Sequence, residues 1–133
     1  MPDFGFGTAD FVSLIRYGYA VYEAYRKAPK DFQDICTEVR NLNRLLECTG
    51  KTIDEGCLDD HAIQQLCRLR AGCADVFNDL EETLGGFGSL GAPKAMSLSR
   101  LKWDPEEIMA LRYRLISNVN NFTAFNTQLL LQK

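Results

Sequence analysis

Apolar residues recur every three or four positions along four separate segments, and nowhere do they alternate with polar residues over a strand's length. That spacing matches the α-helical turn and leaves no pattern for a half-exposed β-sheet. The first stripe lies within 8–27: Phe11, Leu14, Ile15, Gly18, Tyr22 and Tyr25, broadened by Val12, Tyr19 and Val21. Thr8 reads as its N-cap, with the Asp10 carboxylate in the positive first turn, and Pro29 as its stop. The second, within 30–48, is Phe32, Ile35, Val39, Leu42 and Leu46. Gly50 reads as its ending, and 50–58 as a polar loop. The third, within 59–84, holds Ile63, Leu66, Cys67, Leu69, Cys73, Val76, Phe77, Leu80 and Leu84, capped by Asp59 or Asp60. Gly72 falls inside it and weakens the case for one unbroken helix.

The fourth segment, 104–131, opens Trp103-Asp104-Pro105-Glu106-Glu107. Asp104 reads as N-cap, Pro105 as the first helical residue and Glu107 as the capping-box partner. Trp103 is placed to pack on Ile108 as a hydrophobic staple. The stripe continues through Leu111, Leu115, Val119, Phe122, Phe125 or Asn126, and Leu129. Four amphipathic helices with mostly short joints predict an all-α, antiparallel four-helix bundle forming one domain over 1–133. The long glycine-rich and basic connection at 85–102 has room for one extra short helix.

Composition narrows function by exclusion. Fifteen Lys and Arg against eighteen Asp and Glu leave a net charge of −3, the wrong sign for a dedicated nucleic-acid surface. The charge is uneven: 31–60 carries eight acids and three bases, and 85–103 three bases and no acid. Such an asymmetry can orient self-association, although surface charges more commonly do no more than keep a face solvated. The opening residues lack a basic region followed by an apolar run and a small-residue cleavage site. Five cysteines, an odd number, fit free thiols in a reducing compartment. The expectation is a cytoplasmic protein.

Three chemical motifs are weak. Gly86-Phe87-Gly88-Ser89-Leu90-Gly91 matches the dinucleotide fingerprint, but a helical segment precedes it where a strand is needed. Cys57, His61, Cys67 and Cys73 lack the tight paired spacing that converges four ligands on zinc. A Cys–His nucleophile would need an orienting third group and an oxyanion site, and neither shows. The expectation is no enzyme, no cofactor and no metal. Aromatic residues concentrate instead at the N-terminus: Phe4, Phe6, Phe11, Tyr17, Tyr19, Tyr22 and Tyr25, with Gly5, Gly7 and Gly18 between them. Aromatics suit a membrane interface, and small residues allow helices to approach closely. Most aromatic helical stripes, however, are core.

Three stretches together carry a family resemblance. They are Phe4-Gly5-Phe6-Gly7-Thr8-Ala9-Asp10-Phe11; Ala28-Pro29-Lys30-Asp31-Phe32 leading to Glu38-Val39-Arg40-Asn41-Leu42; and Arg100-Leu101-Lys102-Trp103-Asp104-Pro105-Glu106-Glu107-Ile108 with Leu111-Arg112. The chain resembles the fungal N-terminal domain of STAND proteins, the NOD-like receptor relatives, of HeLo-like type. The resemblance implies a helical effector domain in regulated cell death or incompatibility. It also implies a NACHT, NB-ARC or ankyrin module downstream, since 1–133 contains no G-x-x-x-x-G-K-[ST] phosphate loop. A homo-oligomer recruited to a membrane on activation is then expected, and Arg16, Arg26, Lys27 and Lys30 are the cations that could meet anionic head groups. Membrane or partner contact is then expected at Phe4, Phe6, Phe11, Val12, Leu14 and Ile15. Arg16 and the tyrosines interrupt the long glycine-zipper-like N-terminus of some death-inducing relatives, which argues against a pore. The rival expectation is a passive protein–protein scaffold that never touches lipid.

Overall fold

A computed structural model describes residues 8–28, 30–55, 58–83 and 105–131; the side chains of 8–10 and of Asp31 lie outside the description. Within these residues the chain is all-α. The helices are α1 (Thr8–Arg26), α2 (Gln33–Asp54), α3 (Asp60–Thr83) and α4 (Pro105–Leu131), with a 3-10 turn at Lys30–Phe32 leading into α2. The expected four-helix bundle is present.

Cross-helix contacts fix the directions. Gly18 meets Asn43 and Phe11 lies by Gly50, so α1 and α2 are antiparallel. Asp34 faces Arg112, and Thr49 bonds Asn126, so α2 and α4 are parallel. Arg114 pairs with Asp79, and Gly72 faces Asn118, so α3 and α4 are antiparallel. Consecutive helices therefore alternate in direction. The packed pairs are α1–α2, α2–α4, α4–α3 and α3–α1, which places α2 and α3 on a diagonal. Stripe spacing predicts the number of helices but not this neighbour order, because an apolar face does not specify its partner.

The core is made of the stripe residues. Phe32 of the 3-10 turn and Ile35, Val39, Leu42 and Leu46 of α2 are fully enclosed, together with Leu66, Cys73, Val76, Phe77 and Leu80 of α3. Leu111, Leu115, Phe122, Phe125 and Leu129 complete it from α4. Burial pushes the Cys73 thiol well above its ordinary range, so it serves as a small apolar filler. Two buried polar side chains tie α2 to its neighbours. Asn43 Nδ2 donates to Gly18 O at 3.0 Å, and the Thr49 hydroxyl to Asn126 Oδ1 at 2.8 Å.

The limits of α2 differ from expectation at both ends. Gly50 does not end α2, which runs on to Asp54. Ile53 continues the stripe beyond Leu46 and packs on the core, and that apolar contact outweighs the roughly 1 kcal/mol a mid-helix glycine costs. Gly72 likewise sits inside an unbroken α3. The second stripe's first residues, Lys30–Phe32, form the 3-10 turn and not α-helix.

Asp59 caps α3: its Oδ1 accepts the Ala62 N–H at 2.8 Å, and its carbonyl accepts the Ile63 N–H. Asp59→Ala is expected to cost about 1 kcal/mol in a urea titration, and Asp59→Asn a few tenths. Pro105 is the first residue of α4, as expected, and Glu106 and Glu107 lie in its first turn. Trp103 and Asp104, Phe4 and Phe6, Cys57, the glycine motif and any short helix in 85–102 lie outside the described residues.

Candidate functional site

The expected contact residues of α1 divide between core and surface. Phe11 and Leu14 point inward, 1% and 6% exposed. Val12 is exposed, and Ile15 is half-buried against the core. A helix at a bundle's edge gives this result whenever its apolar residues span more than one face. Leu14 can meet lipid or a partner only if α1 leaves the bundle.

Three polar ties hold α1 in place besides its apolar face. The Tyr25 hydroxyl donates to Leu80 O at 2.8 Å, inside the core. The Tyr17 hydroxyl lies 2.7 Å from Asn78 Oδ1 and 2.9 Å from Glu81 Oε1, one proton between two acceptors. Partial burial and the Glu81 carboxylate both raise the Tyr17 pKa, so this phenol stays a donor throughout the physiological range. Asn43 supplies the third tie, to Gly18 O.

Between the N-terminal part of α1 and the C-terminal part of α2 lies an open groove of about 610 Å³. Its apolar side is Phe11, Val12, Ile15 and Ile53. Along its α2 edge run Arg44, Glu47, Cys48, Lys51 and Asp54, all exposed. The volume falls in the range of ligand sites, and its edge carries a thiol, two carboxylates and two cations with no ion pair among them. What it offers is a mostly apolar trough with a charged margin, the composition of a docking surface. Sequence spacing misses this groove because the reading of Gly50 as a helix end turns Lys51, Ile53 and Asp54 into loop. The continuing Leu46–Ile53 interval was the available signal.

The other candidates do not converge. His61 is exposed while Cys73 is enclosed on the same helix, and Cys67 is half-buried. Among the described residues no three His, Cys, Asp or Glu side chains gather as they would around a metal. No helix among them is long and apolar enough to cross a membrane. Comparisons with family models, with curated proteins and with solved structures return no match for this chain.

Proposed function

We propose that this chain is the N-terminal effector domain of a fungal NOD-like receptor, a non-catalytic helical module that signals by self-association through its α1–α2 end. The observation that carries the reading is the convergence of Val12 and Ile15 with Ile53 in one accessible apolar groove, at the end where the resemblance puts contact. A downstream switch module would hold such domains apart, and clustering would raise their local concentration enough for a weak interface to form.

Membrane engagement is the second part of the proposal, and burial limits it. Phe11, Leu14 and Val21 alone contribute roughly 5–9 kcal/mol of gross apolar burial. Release of α1 is therefore rare in the resting bundle, and lipid contact falls to Phe4, Phe6, Val12 and Ile15. The same burial favours the rival reading, a scaffold that recruits proteins without lipid.

Two arms of one experiment separate these. Fused to an inducible dimeriser in fungal cells, the chain is expected to arrest growth when clustered; unimpaired growth overturns the effector reading. In co-sedimentation with vesicles of one-third phosphatidylserine, wild type is expected to pellet and a Phe4→Ser/Phe6→Ser/Val12→Ser variant to stay in solution. Wild type remaining in the supernatant removes the membrane part and leaves the scaffold.

A further inference from the structure

The charges beside the groove have an order of their own. Along α2 they read Arg44, Glu47, Lys51, Asp54: plus, minus, plus, minus. They are placed symmetrically about Thr49, with Glu47 and Lys51 two residues to either side and Arg44 and Asp54 five. Each residue has the opposite sign to its mirror position. Glu47 and Lys51 have the i, i+4 spacing at which helical pairs form. Even so, none of the four makes an ion pair among the described residues, and all four are exposed.

A helix with this pattern is complementary to itself when turned end for end. In a two-fold dimer the same patch meets itself, so a residue before the axis faces the partner's residue an equal distance after it. With the axis at the level of Thr49, Glu47 meets the partner's Lys51 and Arg44 the partner's Asp54, each twice. The four charges span eleven residues, about 15 Å of helix, and flank the apolar trough of Val12, Ile15 and Ile53. Charge complementarity thus supplies register, and the trough supplies apolar area to bury.

We propose that the occupant of this groove is a second copy of the chain, docked with the exposed face of its α2 antiparallel to α2 about a two-fold axis level with Thr49. The proposal deepens the self-association in the function proposed above and names its surface. Cys48 lies one residue from the axis and is exposed, so the two copies of it come within reach of a short cross-linker.

Reversal of the charges tests the register, since all four side chains are exposed and carry no part of the fold. Glu47→Lys sets Lys against Lys51 twice, and Lys51→Glu sets Glu against Glu47 twice. Each single variant is expected to dimerise about tenfold more weakly than wild type in sedimentation equilibrium at low salt. An equimolar mixture of the two should form heterodimers at near wild-type strength, because both cross-pairs are again opposite. The double variant Glu47→Lys/Lys51→Glu should recover the homodimer. A bis-maleimide should link wild-type Cys48 to Cys48 in a Cys57→Ser/Cys67→Ser background, and high salt should suppress the link. Dimers indifferent to the reversals, or single variants that fail to rescue each other, overturn this surface while leaving self-association elsewhere in place. A wild-type chain that stays monomeric and unlinked at several hundred micromolar overturns it too, and assigns the groove to a different protein. Clustering-induced growth arrest reads the effector role separately, so failure of the surface and failure of the role are told apart.

Discussion

Phe77→Ala is expected to lose about 3–5 kcal/mol of stability. Phe77 is fully enclosed on α3 and stands edge-on to Tyr17, ring centroids 5.6 Å apart at 73°. Its ring tip also comes against α1 at Gly18. Truncation removes the ring from the seam of two helices and leaves a void that their backbones cannot close, because Tyr25–Leu80 and Tyr17–Glu81 hold the spacing from either side. Against a typical total of 5–15 kcal/mol, that is a large fraction. A fall of roughly 10–20 °C in melting temperature follows for a chain of this size. Tyr113→Ala, at a residue 61% exposed on α4, is the matched control and should change stability by no more than about 0.5 kcal/mol. Urea titration of both variants checks the pair. A Phe77→Ala loss below 1 kcal/mol would show that α1 and α3 are not packed through this ring.

The bundle was legible because its stripes are clean. Phe32, Ile35, Val39, Leu42 and Leu46 predict one buried face, and each is fully enclosed. The cap at Asp59 and the start at Pro105 are readable for the same local reason: a few neighbouring residues decide them. Three things were not readable. Gly50 looks like a stop by propensity, yet the packing of Ile53 overrides it, and packing is not local. The order of helices around the core depends on how faces match in three dimensions. And Asn43 and Thr49 are polar letters at stripe spacing, whose burial depends on the partner each finds on another helix.

The candidate site follows the same division. The resemblance implies contact at Phe11 and Leu14, while their stripe spacing places them on the core face; the hydrophobic effect draws such large apolar residues of an edge helix inward, leaving Val12 outside. The charge order of Arg44, Glu47, Lys51 and Asp54 is written in the sequence. It acquires meaning only once α2 is known to continue through Gly50, since a loop there would break the repeat into unrelated charges.

Gly18 gives the sharpest test of how α1 lies on α2. In an open position on a helix, Gly→Ala stabilises by about 1 kcal/mol. Here a methyl group would come 2.0 Å from Asn43 Oδ1, 3.0 Å from Asn43 Cγ and 3.1 Å from the Phe77 ring. The Asn43 side chain is itself enclosed and tied to Gly18 O, and Phe77 closes the other side, so neither neighbour has space to move into. Gly18→Ala is therefore expected to destabilise by about 2–3 kcal/mol, opposite in sign to propensity. Asn43→Ala alone should cost about 1–2 kcal/mol: it removes the bond to Gly18 O, and with it a buried Oδ1 that has no hydrogen-bond partner. Combined, the two substitutions should interact strongly, because Asn43→Ala clears the space that the new methyl needs. The double variant is expected to be about 2 kcal/mol more stable than the sum of the single losses predicts. Chemical denaturation of all four species measures that coupling. Strict additivity would mean that the helices do not cross at Gly18 and Asn43, and a stabilised Gly18→Ala would mean that this face of α1 is open to solvent.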